Sequence, residues 1–320
     1  MNNHVKFFVM KKILLLIMIV STSFTFSQRT ASATGNWDEI ATWGGQSVPS
    51  SSDDVTVNNG VLLTVNVTAA CNSISAVAGS FVSINANLTI SGGSSTSSTF
   101  AGTVSASANV TFTESNFTNS GTFTVSPGKQ IIFSNSSSTI TNTGSFKLNS
   151  TNLLYSSLLY KGTSFNGTGG TFQYARAVSN AATWWDHVGS PVSGQTAGNI
   201  ITQGEIATNG SQFGIGTFDN TTGADGTWTL FTTAQAFVEG SLESGVGYIM
   251  GSDNGSSLLF DGELVTDAVN INITEGDSQG DAASVTGSRW NLLANPYPAY
   301  LSVNSAAASA SSYGSDYLMK

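Results

Sequence analysis

Phe117-Thr118-Asn119-Ser120-Gly121-Thr122-Phe123 returns twenty-three residues later as Ile140-Thr141-Asn142-Thr143-Gly144-Ser145-Phe146, each position identical or of the same type. A looser copy, Phe165 to Phe172 with one extra residue, ends in Gly170, Thr171 and Phe172. Upstream, Gly79-Ser80-Phe81 and Gly102-Thr103-Val104 carry the core of the pattern. Glycines at 79, 102, 121, 144 and 170 therefore fall 23, 19, 23 and 26 residues apart. A period near twenty residues marks a solenoid, whose repeats bury their apolar faces on one another.

The surrounding residues agree with short strands. Val82, Ile84, Ala86, Leu88 and Ile90 alternate with polar residues, as do Val110 and Phe112, Phe123 and Val125, Ile131 and Phe133, and Phe146 and Leu148. That is the period of a half-buried strand. Gly92-Gly93, Ser94 to Thr99, Pro127-Gly128 and Ser134 to Thr139 separate them with turn chemistry. No segment sustains a helical period. An antiparallel sandwich also has short strands at regular spacing, but its strands need not resemble one another. The matched heptad favours a parallel β-helix. Asn119 and Asn142 then occupy equivalent corners of adjacent turns, where two roles are open: an amide ladder, or left-handed turn positions that Asn tolerates. The second is the expectation.

Residues 1–27 read as a secretory signal peptide: Lys6, Lys11 and Lys12, then the apolar run Ile13 to Val20, then small residues at Thr25 and Ser27 before Gln28. The apolar run is shorter than the roughly 20 residues that span a bilayer, so no transmembrane segment is expected, and the export machinery is a partner. Cleavage leaves 293 of 320 residues and moves the formal charge from −9 to −12. An acidic chain with so few bases excludes nucleic acid as a partner. Charged residues make up 9% of the sequence, far below the usual quarter, which suits an exported β-protein wetted by hydroxyls and amides. The same bias occurs in low-complexity stalks, but 18 Phe and 6 Trp argue for a packed core. Cys71, the single cysteine, reads as a small buried apolar residue in a strand.

Gln28 to Thr34 is read as a short mobile start. Then come Gly35-Asn36-Trp37, Ala41-Thr42-Trp43 and Val48 to Val61, "VPSSSDDVTVNNGV". This segment resembles the head of β-helical domains in exported surface proteins of Bacteroidetes. Two tryptophans suit a cap on the first turn. Asp53 and Asp54 read as turn residues entering a strand in preference to cation ligands.

Five of the 19 acids precede residue 166 and fourteen follow it, so a boundary is placed between 172 and 173. Beyond it, Trp185, Val188, Gly189, Ser190 and Pro191 are echoed by Trp290, Leu293, Ala294, Asn295 and Pro296. Strands are expected at Gly214 to Phe218, Trp228 to Phe231, Gly247 to Met250, Leu258 to Phe260 and Val269 to Ile273, which together read as a β-sandwich-like module. "WWDHVGSPVSGQ" (184–195), "LESGVGYIM" (242–250), "FDGELVTDAVNINI" (260–273) and "RWNLLANPYPAYL" (289–301) occur in that order. They resemble a module of large Bacteroidetes exported proteins that end in a type IX secretion sorting domain, with Ala294 where that module usually has glycine. The resemblance implies residence at the cell surface or in the medium, often as an adhesin, and no catalysis. Such proteins continue past this motif, so a fragment lacking its sorting domain is expected.

Candidate chemistry is sparse. Between Val55 and Phe165 there is one acid, Glu114, with Lys129, Lys147 and Lys161; a glycosidase needs two carboxylates. His187 is the one histidine after residue 27, which leaves no zinc set and no nucleophile–base pair within one domain, and it reads as a strand or turn residue. Asp219 and Asp225, Asp253-Asn254-Gly255, and Asp277 to Asp281 read first as turns, with calcium as the alternative ligand. Trp184, Trp185, Trp228 and Tyr248 are candidates for an aromatic platform that stacks on sugar rings, against the plainer reading as core.

The expectation is an all-β, non-enzymatic protein with no cofactor: signal peptide 1–27, β-helix with N-terminal cap 28–172, and an incomplete sandwich-like module 173–320. It would be a secreted or cell-surface structural and adhesive protein, with an extracellular glycan or protein surface as partner. The alternative is a carbohydrate-binding accessory region of a larger exported polysaccharide-degrading enzyme.

Overall fold

The computed structural model describes residues 27–93, 96–222, 226–233, 240–273 and 290–300. The expected signal peptide, all but Ser27, lies outside them, as do Asp225 and Asp277 to Asp281.

The repeat builds a stack of parallel strands in three sheets. Sheet I contains β1 (Ser27–Ala31), β3 (Asp53–Val57), β6 (Ser73–Ala76), β9 (Ser97–Phe100), β12 (Asn116–Asn119), β15 (Thr139–Asn142) and β18 (Ser164–Asn166). Sheet II contains β2 (Gly35–Asn36), β4 (Leu62–Val65), β7 (Phe81–Ile84), β10 (Thr103–Ala106), β13 (Thr122–Val125), β16 (Ser145–Leu148) and β19 (Thr171–Ala177). Sheet III contains β5 (Ala69–Cys71), β8 (Leu88–Ile90), β11 (Val110–Phe112), β14 (Gln130–Phe133) and β17 (Ser157–Tyr160). The chain visits the sheets in turn, and seven strands in sheet I record seven turns of a parallel β-solenoid. The alternating run Val82 to Ile90 is split at Asn85–Asn87, where the chain turns from sheet II into sheet III.

The deciding heptads stack directly: Phe117 lies beside Ile140 and Asn119 beside Asn142, Thr122 beside Ser145 and Phe123 beside Phe146. The copy ending at Phe172 follows in register. One upstream alignment is corrected. Phe81 pairs with Thr103 and Val82 with Val104, so Ser80, not Gly79, precedes Gly102 in the glycine column. Gly79 instead makes a turn with φ +77°, a left-handed conformation that favours glycine.

Glycine is needed in that column because consecutive corners nearly touch. A Cβ on Gly121 would lie 2.0 Å from the Gly102 carbonyl oxygen, and one on Gly144 2.1 Å from that of Gly121. Inward-facing side chains fill the bore. Phe112 stacks on Phe133 at 4.6 Å and Phe123 on Phe146 at 5.0 Å, with Phe100 and Phe117 edge-on to Phe123. Each such pair adds about 0.5–1.5 kcal/mol beyond area burial. Outward-facing positions form hydroxyl columns, among them Ser75, Thr99, Thr118 and Thr141.

Asn119 and Asn142 point inward and are fully buried. The Asn119 Nδ2 donates to Asn142 Oδ1 at 2.7 Å, and Asn142 Nδ2 donates to the Thr171 carbonyl at 2.9 Å. No described non-glycine residue has positive φ. The left-handed expectation is therefore overturned in favour of the ladder, because an inward amide inside a dry bore must find partners.

At the N-terminal end, the expected mobile start is instead partly strand: β1 pairs with β3 from Ser27↔Asp53 to Ala31↔Val57. Trp37 and Trp43, both 1% exposed, meet edge to face at 5.3 Å, and Trp43 Nε1 donates to the Trp37 carbonyl. They close the hydrophobic bore. Asp53 accepts from the Ser50 amide and hydroxyl and faces Arg29 at 3.6 Å. Asp54 accepts from Asn72 Nδ2 and Ser73 Oγ. Both acids thus serve a turn and the start of a strand.

At the other end β19 runs across the 172/173 boundary. Residues 171–174 stack on β16, while residues 172–177 pair antiparallel with β25 (Ser257–Gly262). Sheet II therefore continues into the second region, and the buried apolar side chains of both regions form one cluster. The Leu158 amide donates to the Pro298 carbonyl at 2.7 Å, so the second region also covers the last strand of sheet III.

The rest of that region forms an antiparallel sheet IV in the order β20 (Asp186–Gly189), β24 (Gly247–Met250), β22 (Gln212–Asp219), β21 (Thr208–Asn209), with β23 (Thr227–Thr232) also paired to β22. A short helix α1 (Ala197–Ile201) carries Thr196 as its N-cap, accepting from Asn199 N. The two copies of the Trp–Pro echo meet: a Cβ on Gly189 would lie 2.0 Å from Ala294 Cβ. Val269 to Ile273, expected as a strand, is unpaired. Its Val269 and Ile271 side chains instead lie against Gly245, so the alternation reflects packing of an extended segment without a ladder.

Candidate functional site

Sheet IV has one buried and one open face. Val188, Tyr248, Met250 and Ile215 are buried. Strand parity and register send their neighbours to the other side: His187 pairs with Ile249, Ile249 with Gly216, Gly216 with Leu230 and Phe218 with Trp228. Trp185 precedes His187 by two and shares its side.

Across this open face the His187 imidazole lies parallel to the Trp228 indole, centroids 5.8 Å apart and planes 9° apart. Ile249 and Gly216 lie between the strands that carry the two rings, and the Leu230 side chain packs over Gly216, where a Cβ would meet its Cδ2 at 3.0 Å. Phe218 supports Trp228 from the other side at 5.0 Å. Its own ring lies over Gly226, where a Cβ would approach to 2.3 Å. Trp185 lies against Gly251, whose Cβ would come within 3.4 Å of the indole. Trp184 ends a turn in which its amide donates to the Asn180 carbonyl, and Asn180 Nδ2 donates to Asp253 O.

Of the four platform candidates, three are accessible: Trp184 at 72%, Trp228 at 41% and Trp185 at 37%. Tyr248 is corrected to core. It sits on the inward face at 3% exposure, its hydroxyl accepting from Glu243 N and donating to Ser241 O. Burial pushes its phenol above the ordinary range. His187 and Phe218 are members that were not expected. Their signal was spacing and register: Trp185, just before β20, and His187 within it are two apart, and Phe218 lies directly opposite Trp228.

Two of the remaining candidate stretches are tied into turns. Asp219 accepts from the Thr221 amide and hydroxyl and the Thr222 hydroxyl, which hold its carboxyl below the usual range. Ser252 Oγ accepts from Gly255 N and Ser256 N to close the Asp253-Asn254-Gly255 turn. Among the described residues no three His, Cys, Asp or Glu side chains gather as a metal site, and no helix is long and apolar enough to cross a membrane. Cys71 is free and buried in β5, and His187 lies in the other region on sheet IV. Glu114 is buried inside the solenoid at 1% exposure.

A face of half-exposed rings on a fixed sheet can hold a flat apolar surface by stacking, with the imidazole as the adjacent polar group. No protein-family model, curated protein or solved structure matches the chain.

Proposed function

We propose that this chain is an exported, non-catalytic structural and adhesive protein of the cell surface or extracellular medium. The observation that carries this is the continuity of sheet II through β19 into β25, which ties the solenoid to the second region, where sheet IV carries the aromatic face. Seven turns at ~4.8 Å per strand make a rod about 30 Å long. Load along the rod is shared by stacked backbone hydrogen bonds. The signal-like residues 1–27 and the four ordered motifs support export by a type IX route and a sandwich-like character for residues 173–320. Adhesion of the purified chain to immobilised extracellular surfaces tests this. Trp184→Ala, Trp185→Ala and Trp228→Ala together are expected to abolish retention while leaving the fold intact; unaltered retention would sink the assignment of the face.

The second reading is a carbohydrate-binding accessory region of a larger exported polysaccharide-degrading enzyme. The row Trp185, His187, Trp228 and Phe218 favours it, since pyranose C–H faces stack on such rings. Titration with a panel of neutral oligosaccharides, followed by tryptophan fluorescence, is expected to show saturable quenching that Trp228→Ala removes. A flat response across the panel would leave a protein surface as the partner.

A further inference from the structure

Glu114 places a carboxyl inside the bore of the solenoid. Sheet III hands the chain to sheet I at a corner in every turn, and hydroxyl groups tie several of these corners. Thr113 Oγ1 donates to the Ile90 and Gly92 carbonyls, Ser134 Oγ to Phe112 O, and Ser91 Oγ to Cys71 O. Glu114 occupies such a corner, between β11 and β12, and is 1% exposed. Its Oε2 accepts from Ser98 Oγ at 3.0 Å, and Ser98 Oγ in turn accepts from the Ile74 amide at 3.0 Å. Its Oε1 is buried and has no hydrogen-bond partner.

The charged and titratable groups on this side of the bore are the Cys71 thiol of β5 and the Asp53 and Asp54 carboxylates of β3; Glu114, Asp54 and Asp53 all bear electrostatically on Cys71. Arg29 of β1, the cation here, is paired with Asp53. Among the described residues no cation pairs with Glu114, so its surroundings suit a neutral carboxylic acid and oppose a carboxylate.

We propose that Glu114 is a proton-operated latch on the corner between sheets III and I: protonated, it closes the corner over Ser98 and Cys71, and ionised, it drives the corner open. Burial pushes the Glu114 carboxyl up to about 8, while the Ser98 hydroxyl and, after it, the Ser98 backbone oppose that rise. The latch therefore holds through neutral pH and releases on the alkaline side. The sign follows from proton linkage. The closed state holds the proton over the window from the ordinary carboxylate value of 4.5 to about 8; opening releases it, so opening becomes easier as pH rises through that window and levels off above it.

Cys71, wholly buried and the single cysteine of the chain, reports on the corner without a label being engineered in. The experiment is thiol-reagent labelling of the full folded chain from pH 6 to 9, each rate divided by that of the urea-unfolded chain to remove thiolate reactivity. The expected result is a normalised rate that rises by roughly tenfold or more across the window in the native sequence and stays flat in Glu114→Gln, which keeps the shape and the Ser98 bond without a charge. A flat native profile overturns the latch. So does an equal rise in Glu114→Gln. If Glu114→Gln fails to fold, Ser98→Ala serves instead: it removes the bond that favours the carboxylate and is expected to move the midpoint of the rise to higher pH, whereas an unmoved midpoint counts against the latch.

Discussion

The side-chain amide of Asn119 donates to that of Asn142 one turn further along, at 2.7 Å and with no exposure to solvent. Asn142 passes the chain on to the Thr171 carbonyl, so two turns of a dry bore are tied to a third. Asn142→Leu leaves the Asn119 amide only its bond to the Ser145 carbonyl and removes the side-chain donor to Thr171 O. A loss of about 1–3 kcal/mol is expected for buried groups left short of a partner, read as a lower urea midpoint at unchanged slope. Asn142→Asp is expected to be harmful as well, because a carboxylate still accepts from Asn119 but cannot donate to Thr171.

The glycine column predicts a contrast between two conservative changes. Gly121→Ala places a Cβ 2.0 Å from the Gly102 carbonyl, and the backbone of two turns must separate to admit it. Gly93→Ala meets nothing within 4 Å. Thermal melting is expected to show a loss of roughly 1–3 kcal/mol, the usual cost of overpacking, for the first and little change for the second. Equal effects would mean the turns are not held at this spacing.

Asp53 makes the N-terminal cap sensitive to acid. Burial opposes its charge, but the Ser50 hydroxyl and amide and the Arg29 charge outweigh it and hold its carboxyl below 3.8. A lowered folded value means the contribution is complete above that pH and fades as pH falls through the folded value. Asp53→Asn is expected to lower the melting temperature at pH 7 and to converge with the native chain near pH 2. A constant difference at both pH values would assign the effect to shape alone.

Tyr248 and Trp184 separate core from surface in sheet IV. Tyr248→Phe removes the acceptor of Glu243 N and is expected to cost about 0.5–1.5 kcal/mol. Trp184→Ala, at a site 72% exposed, is expected to fall within about 0.5 kcal/mol of neutral. Urea titrations of the two variants decide it, and a reversed order would move the platform.

The shared sheet predicts one unfolding transition. Phe260 of β25 is fully buried and pairs with Tyr174 of β19. Phe260→Ala is expected to destabilise by about 3–5 kcal/mol and to lower the melting of solenoid and second region together. Two separated transitions by far-UV dichroism and Trp fluorescence would show that β19 couples them weakly.

Much of the solenoid was legible because parallel stacking makes chemically equivalent positions recur at the turn length, as in Phe117 with Ile140 and Gly121 with Gly144. The aromatic face was legible only in part. Trp185 and Trp228 stand out as residues, but their meeting through His187 needs β20, β24, β22 and β23 side by side, and no local pattern orders those strands.

The sequence by itself determined the period, the inward and outward faces of each strand, the tryptophan cap and the buried cysteine, because these follow from residue type at fixed spacing. Tertiary structure alone decided that Ser80 and not Gly79 joins the glycine column, that the two asparagines ladder, that Tyr248 is core, and that β19 belongs to both regions. Each of these depends on which backbone lies one strand, about 4.8 Å, away. That neighbour is set by loop lengths and packing far along the chain, so nothing in the local residue pattern records it.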